Sequence, residues 1–318
     1  MALAGITPRE LNNTNVDLQK DFNDSYKASL EDSNNWAPPH VKVATTSKKL
    51  INYIFYGDMD SLDELNDLQN DEFETILGYT LNLDNTTYGK GVKITLEDFN
   101  ADAKDLSLLP QQVQIIATKA ALLWKDLAIS ILNNGATAAV QTYDGVSLYN
   151  NAHVVGDGTF DNLLAGTGDF GVDLETLYQA MLVFQNDIGQ VREGNIPTHV
   201  IHPIGLRKQV LEELNSTSAT VDNKNSGVVN TNFRLVSPIM EPKLTDANDW
   251  FAMRSQGLEI PFIGLHNPGA SPTRDQLVSD NRPNVQGQIV DEWLKWKYRT
   301  KRKLHPSHPH LHCKVVNA

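Results

Sequence analysis

The sequence lacks several features that would narrow its chemistry. Cys313 is the single cysteine among 318 residues, which excludes an intrachain disulfide framework and a cysteine-rich zinc site. No stretch approaches the roughly 18 consecutive apolar residues of a membrane-spanning helix. The start of the chain also lacks the basic and apolar runs of a signal peptide, and no glycine-rich dinucleotide or P-loop motif occurs. We therefore expect neither membrane insertion nor a nucleotide cofactor.

Positive charge is also scarce. Lys and Arg total 27 against 39 Asp and Glu, which gives a formal net charge of -12 at pH 7. A chain of that sign repels polyphosphate, so a general nucleic-acid-coating role is disfavoured. Hydrophobic residues make up 40% of the sequence, which is ample for a buried core. The composition is that of a globular chain with one large domain or two ordinary ones.

The first part of the chain is polar. Residues 1–40 are rich in Asn, which predicts an extended or partly helical arm that a partner orders, with a disordered tail as the alternative. No Lys or Arg occurs between Gly57 and Lys90, and this stretch contains a block of carboxylates. These are Asp58, Asp60, Asp63, Glu64, Asp67, Asp71, Glu72 and Glu74. The block, residues 58–74, lacks the spacing of a calcium loop, so we expect a solvated or partner-facing acidic segment.

Regular periodicity begins after the acidic segment. Apolar and polar residues alternate at positions 81–83 and 92–96 across a glycine-bearing turn, which predicts a β-hairpin or two extended arms. Apolar residues then recur at spacings of three and four from Val113 to Ile131, which predicts a long helix. Pro110 suits its first turn and Gly135 its C-terminal cap. About 24 residues at 1.5 Å each would span roughly 36 Å.

Helical and strand patterns alternate between residues 137 and 279. A second amphipathic helix is predicted behind a capping Asp173, with Leu174, Leu177, Met181, Phe184 and Ile188 on its apolar face. A buried strand ends at Pro203, and a short helix follows. Further strands are predicted at residues 233–237, 249–253 and 260–264. This pattern predicts a mixed region of helices and strands.

The last long strand has two different faces. Leu294, Trp296 and Tyr298 alternate with the basic residues Lys295, Lys297, Arg299 and Lys301. We call these four basic residues the basic face. It is suited either to nucleic acid or to the acidic segment of the chain itself, and the sequence favours neither.

The segment "YDGVSLYNNAHVVGDGTFDNL", residues 143–163, raises the question of an active site. Ser147, His153 and Asp144 are the residue types of a hydrolase triad. The G-x-S-x-G elbow that exposes a nucleophilic serine is missing. Asp-Gly and Gly-Asp pairs instead predict two turns around a short half-buried segment.

Histidines suggest a second kind of site. His308, His310 and His312 alternate near the end of the sequence, as metal ligands on one strand face would. Prolines interrupt this run and no acidic residue lies nearby, so we predict no metal. His199 and His202 flank a predicted strand, and we expect both to be hydrogen-bonded structural residues.

The order of these features resembles the Mu-like major head subunit (gpT-type) family of tailed bacteriophages, over residues 40–304. Tyr88, Gly89 and Gly91 match its Y-G-x-G segment before the long helix. After the helix, its D-G-x-x-L-aromatic segment is matched by Asp144, Gly145, Leu148, Tyr149, His153, Asn162 and Leu163. Residues 197–203 and 235–251 match two later segments.

The resemblance implies an α+β Hong Kong 97 type capsid fold. Its parts would be an N-terminal arm (1–40), an extended loop (41–100), a peripheral domain (101–136 and 280–318) and an axial domain (137–279). The implied function is that of a major head protein without catalysis or cofactor, which self-assembles into pentamers and hexamers of an icosahedral shell around double-stranded DNA. The implied partners are a portal, a separate scaffolding protein and decoration proteins. The implied location is the virion and, during assembly, the host cytoplasm.

Contact surfaces would then carry the function. We hypothesise that the acidic segment meets the basic face of an adjacent subunit, which would provide register and steering. Two alternatives stay open. An encapsulin-like compartment would be recognised by an apolar groove for cargo, and a serine hydrolase would use Ser147 and His153.

Overall fold

The computed structural model describes residues 8–57, 78–95, 108–217, 230–257, 260–267, 278–279, 282–283, 289–291 and 293–317. The helices are α1 (Pro8–Leu30), α2 (Leu108–Ala121), α3 (Leu123–Asn134), α4 (Phe170–Leu182) and α5 (Arg207–Asn215). The first strands are β1 (Val41–Thr45), β2 (Leu50–Tyr56), β3 (Gly78–Asp84), β4 (Thr86–Thr95), β5 (His153–Val155), β6 (Gly158–Phe160), β7 (Leu163–Ala165) and β8 (His199–His202). The others are β9 (Ser237–Met240), β10 (Trp250–Met253), β11 (Phe262–Asn267), β12 (Val278–Ser279), β13 (Arg282–Pro283), β14 (Ile289–Asp291), β15 (Trp293–Pro306) and β16 (His312–Val316).

The first sheet is organised around the long strand β15. β15 pairs antiparallel with β4 on one side and with β11 and β12 on the other, and β1 runs parallel to β11. The predicted alternation is confirmed at Trp296, Tyr298 and Thr300, which are buried, and at Arg299, which lies between the last two and is exposed. The strand therefore separates an apolar layer from a polar surface.

The arm and the long helix cover the apolar face of β15. α1 packs along α2, and Leu18 and Phe22 are buried between α2 and the strand. The Phe22 ring centroid lies 4.9 Å from that of Tyr298 and 5.6 Å from that of Trp296. Such aromatic pairs add to the stabilisation that burial alone provides. The predicted arm is therefore helical over Pro8–Leu30, and packing within the chain orders it.

The predicted long helix is present, with a local irregularity at Leu122. The Leu122 amide donates to the Thr118 carbonyl (3.0 Å) and the Asp126 amide to the Leu122 carbonyl (2.9 Å), so hydrogen bonding continues from α2 into α3. We call α2 and α3 together the spine helix. Gly135 lies at its C-cap as predicted, but with a right-handed φ of -64°. A Cβ there would lie 2.6 Å from the Tyr149 ring, so glycine is required for this close approach.

The second sheet has the strand order β7-β16-β10-β8-β9. α4 and α5 pack against it around a core that includes Phe170, Leu174, Leu177, Met181 and Trp250. The predicted strands at residues 199–202 and 250–253 are confirmed here, whereas Phe262–Asn267 joins the first sheet. The helix after Pro203, α5, connects the parallel neighbours β8 and β9 within this sheet.

Two local predictions change in the structure, and one of two open alternatives is selected. α4 begins at Phe170 and Asp169 is its N-cap, whereas Asp173 is buried and accepts hydrogen bonds from the Thr167 amide and hydroxyl, both at 2.7 Å. The strand predicted at 233–237 lies at Ser237–Met240, because Phe233 and Leu235 donate to the turn carbonyls of Asn230 and Asn232. β3 pairs with β2 and β4 pairs with β15, so these strands are two extended arms and not a hairpin.

The predicted division into arm, extended loop, peripheral domain and axial domain stays a prediction. Sheet membership differs from it near the end of the sequence. β15 belongs to the first sheet and β16 to the second, although both lie in the segment 280–318. Pro306 and Pro309 lie in the corner between them.

Candidate functional site

The segment that resembled an active site is built of tight turns. Gly145 and Gly156 have φ of 82° and 59°, the left-handed conformation that the predicted turns require. The Asp144 carboxylate accepts a hydrogen bond from the Thr142 hydroxyl across the first turn. The turn prediction is confirmed.

Asp144 and His153 form a buried hydrogen-bonded pair. Their Oδ2 and Nδ1 atoms are 2.6 Å apart, with 2% and 0% of the side chains exposed, and His153 Nε2 lies 3.1 Å from the Leu148 carbonyl. Burial raises the pKa of Asp144, but hydrogen bonds from His153 and Thr142 outweigh it and hold this pKa below its ordinary value. Both ring nitrogens of His153 therefore face oxygen atoms, the Asp144 carboxylate on one side and the Leu148 carbonyl on the other.

Ser147 does not join this pair. Its hydroxyl donates to the Tyr149 carbonyl (3.1 Å) and lies 3.5 Å from the Asn150 side-chain nitrogen. A catalytic serine must instead donate to the imidazole that takes its proton, and His153 Nε2 already donates to Leu148. The structure brings two of the three triad candidates together, and their bonds hold the chain where it leaves the spine helix.

The histidines near the end of the sequence lie in the interior and not on one strand face. His310 and His312 are 2% and 0% exposed, His312 Nε2 donates to the Pro261 carbonyl (2.8 Å), and His308 packs edge-on against Phe55 and Tyr143. Across the described ranges, no group of three or more His, Cys, Asp or Glu could hold a metal ion. These histidines act as packing residues.

His199 and His202 are hydrogen-bonded, as expected. His199 Nδ1 lies 2.8 Å from the Thr198 hydroxyl, and His202 Nδ1 lies 2.9 Å from the Pro203 carbonyl. Burial lowers the pKa of both. His199 also contacts the ring of His40 at a centroid distance of 4.5 Å, so it helps to hold the segment that links the arm to β1.

The basic face lies on the β4–β15 ribbon, where Arg299 is exposed and Lys297 and Lys301 are half-buried. Lys297 is opposite Gly91 and Arg299 is opposite Gly89, while Lys295 and Lys301 have the register partners Lys93 and Thr87. A Cβ at either glycine would lie 3.1 Å from the side chain of its partner. Glycine therefore allows the long basic side chains to lie across β4, beside a shallow groove of about 420 Å³. The acidic residues from Asp58 to Glu74 lie outside the described residues.

Arg302 joins the arm, the spine helix and β15. It is 3% exposed, and its guanidinium donates to the Ala120 carbonyl (3.1 Å) and the Tyr26 hydroxyl (2.9 Å). It also lies 5.0 Å above the Trp124 ring, within the range of a cation–π contact. The Ala120 carbonyl belongs to the irregular turn of the spine helix, so the side chain of Arg302 compensates for that irregularity.

A second junction links the arm to the second sheet through Glu241. This carboxylate is 1% exposed, lies 2.9 Å from Lys125 Nζ and accepts from Trp36 Nε1 at 3.0 Å. Asn35 donates to the Ala121 carbonyl at 3.3 Å. Residues of the arm and the spine helix therefore meet at one buried carboxylate, which directly follows β9.

Sequence reasoning missed both junctions, although one of them left a signal. Arg302 has the same strand parity as Trp296 and Tyr298, so it lies on the apolar face and needs buried partners. Glu241 shows no comparable pattern, because its partners in the junction, Trp36 and Lys125, are more than a hundred residues away in sequence.

The fold and its junctions define an α+β structural protein whose conspicuous features are packing junctions and a charged surface. The phage capsid protein family matches residues 78–300, and the chain belongs to that family. It is therefore a phage capsid protein, a structural component of the virion. None of the described helices is both long and apolar enough to cross a membrane.

Solved structures agree with this fold. The capsid of bacteriophage JBD30 is similar at 15% identity and a TM-score of 0.53, over 68% of this chain and 94% of that one. The SrpI encapsulin of Synechococcus elongatus is similar at 11% identity and a TM-score of 0.51, over 88% and 86%. A phage-related protein of Bordetella bronchiseptica is similar at 12% identity and a TM-score of 0.50, over 92% and 95%. No curated protein matches the sequence. The α+β fold is of the Hong Kong 97 capsid type.

Proposed function

We propose that this chain is the major head subunit of a tailed bacteriophage of the Mu-like type. It assembles in the host cytoplasm into pentamers and hexamers of an icosahedral shell that encloses double-stranded DNA. The observation that carries the proposal is the two-faced strand β15, which binds arm and spine helix on one face and presents Lys297, Arg299 and Lys301 on the other. A rigid subunit with a charged outer ribbon is suited to repeated contacts with copies of itself.

Self-assembly is tested by electron microscopy and light scattering of the purified chain, alone and with a candidate scaffolding protein. We expect rings, sheets or closed shells. A stable 35.3 kDa monomer under every condition would contradict the proposal. Shells that form only with the second protein would support the proposed separate scaffold, and the portal and decoration proteins are proposed on the same grounds.

The acidic segment is proposed to dock on the basic face of the adjacent subunit. The glycine-floored groove beside Lys297 and Arg299 has room for an extended chain, and the opposite charges of the two surfaces provide steering and register. Substituting Lys297, Arg299 and Lys301 by Glu should reduce assembly most strongly at low salt, where screening is weakest.

Two further variants sharpen this experiment. Lys208→Glu changes a side chain that is 83% exposed on α5 and serves as the matched control. Combining the triple Glu variant with Lys at Asp58, Asp60 and Asp63 should restore assembly if the two surfaces meet. Normal assembly of the triple variant at all ionic strengths would exclude the contact.

We infer that Ser147 and His153 do not form a catalytic site, because they donate to different backbone carbonyls. Ester turnover that Ser147→Ala abolishes would contradict this inference. The likeness to an encapsulin favours one alternative, a compartment that stores a cargo protein. Shells that form without DNA and retain one host protein at a fixed ratio would support it over the phage head.

A further inference from the structure

Residues 307–317, which we call the closing segment, complete the second sheet although they follow its other strands in the chain. Their strand β16 lies between β7 and β10, parallel to the first and antiparallel to the second. We call the space between β7 and β10 the slot. Among the described strands, β7 pairs with β16 alone. An empty slot would therefore detach the edge strand β7 from the sheet and leave one edge of β10 without a partner strand.

The closing segment is buried as deeply as the core. Leu311, His312 and Cys313 are 0% exposed and Val315 is 1% exposed. Cys313 and Val315 belong to the apolar cluster that contains Leu174, Leu177 and Trp250. An empty slot would therefore expose the face on which α4 packs, which is unfavourable in proportion to the apolar area.

Two buried asparagines bind the backbone of the closing segment. Asn162 Nδ2 donates to the Pro309 carbonyl (3.0 Å) and Asn195 Nδ2 donates to the His310 carbonyl (3.1 Å). Both asparagines are 0% exposed. Each comes from a different loop of the second half of the chain, so both loops are positioned by the same short stretch.

Polar contacts fix the register of β16. Lys314 Nζ lies 2.6 Å from an Asp249 carboxylate oxygen, and its amide donates to the Asn162 carbonyl at 2.8 Å. The Asn317 amide donates to Asp249 (3.1 Å), and its side chain joins the Gly168 amide to the Asn248 carbonyl. A shift by one residue would point Lys314 into the apolar cluster and Val315 out of it.

We propose that the slot is a strand-binding site specific for the closing segment. The second sheet and its helices fold cooperatively only when this segment fills the slot. The segment binds whether it belongs to the same chain or is supplied as a separate peptide. A chain that stops before residue 307 keeps β15 and the basic face but does not form the second sheet. The proposal concerns the single subunit and does not depend on shell assembly.

The first experiment is hydrogen exchange by mass spectrometry on the full chain with Val315→Asp. A carboxylate in the apolar cluster should lower occupancy of the slot about a hundred-fold or more. We expect exchange to accelerate by a similar factor in β7, β8 and β10, because cooperative units open together. Exchange in α2 and β15 should change much less.

The matched control is Val316→Asp, at a neighbouring side chain that is 39% exposed, and it should leave exchange unchanged. Accelerated exchange confined to residues 307–317 in the Val315→Asp chain would overturn the proposal, and so would no acceleration at all. If that chain is insoluble, Val315→Ala supplies the same comparison with about a ten-fold effect.

The second experiment adds a synthetic peptide of residues 305–318 to the Val315→Asp chain. The closing segment of the same chain competes with the peptide for the slot at an effective concentration of about a millimolar. Because Val315→Asp weakens that segment about a hundred-fold, about 100 μM peptide should replace it in the slot. We expect the peptide to restore slow exchange in β7, β8 and β10, and the same peptide carrying Val315→Asp to have no effect. Equal effects of the two peptides, or no restoration by either, would refute the slot as a specific strand-binding site.

Discussion

Mild acid should destabilise the isolated subunit through histidines that are buried as neutral rings. His40 lies 2.9 Å from the Ser255 hydroxyl and against His199, and His312 lies in β16. Burial, aided for His40 by His199, lowers the pKa of each from 6.5 to about 4. Protonation therefore favours the unfolded chain.

The sign and size follow from proton linkage. The unfolded state binds more protons than the folded state below pH 6.5, so the free energy of unfolding is highest above that pH and falls as pH decreases toward 4. At pH 4.5 each of the two histidines should lower it by about 2.5 kcal/mol. Burial lowers the pKa of five more histidines in the same direction: His199, His202, His266, His305 and His310.

Asp144 does not act in this pH range. Its pKa is held below the ordinary value of 3.8, because hydrogen bonds from His153 and Thr142 outweigh the effect of burial. The stability it contributes is therefore lost only at lower pH. Between pH 6.5 and 4.5 the slope should mainly report the buried histidines.

The assay is urea unfolding of dilute subunits, followed by tryptophan fluorescence, at intervals from pH 7.5 to 4.5. His40→Gln and His312→Gln should each reduce the slope of the unfolding free energy by up to about 1.4 kcal/mol per pH unit below pH 6. Lys208→Gln changes a side chain that is 83% exposed on α5 and should leave the slope unchanged. An equal slope for the wild type and the double histidine variant would refute the reasoning.

Three other substitutions test close packing and hydrogen bonds within the subunit. Gly135→Ala places a Cβ 2.6 Å from the Tyr149 ring and should lower the free energy of unfolding, measured with denaturant, by about 2 kcal/mol. An unchanged free energy would mean that the ring moves aside at little cost. Arg302→Met removes hydrogen bonds to the Tyr26 hydroxyl and the spine helix, so trypsin should cleave the arm about ten-fold faster. An unchanged cleavage rate would show that the aromatic contacts alone hold the arm. Ser147→Ala should change the free energy of unfolding by less than about 1 kcal/mol and leave assembly intact, because the Ser147 hydroxyl makes weak local bonds. A loss of assembly would count against a purely local role of this hydroxyl.

Much of the local structure could be predicted because burial repeats with the period of each element. The spacing of Val113 to Ile131 predicted the spine helix, and the alternation of Trp296 and Tyr298 with basic residues predicted a two-faced strand. The Asp-Gly pair at Gly145 likewise predicted a tight turn next to Ser147 and not a catalytic elbow.

Periodicity did not reveal the features that depend on how the chain turns outside its helices and strands. Asp173 has the composition of an N-cap, but the loop before α4 places Asp169 at the cap and leaves Asp173 to bind Thr167. The histidines near the end of the sequence have the spacing of strand ligands, but a corner at Pro306 and Pro309 turns them into the interior. The intersubunit contact stays a prediction, because its acidic half lies outside the described residues.

The sequence by itself determined which faces are apolar, where turns occur and how charge is distributed along the chain, because these depend on the residues and their spacing. Only the tertiary structure decided what covers each face: α1 on Trp296 and Tyr298, Arg302 on the spine helix, and β16 between β7 and β10. The physical reason is that periodicity shows which face of an element is apolar and must be buried. Hydrogen bonds and packing between residues far apart in the chain select the surface that covers this face.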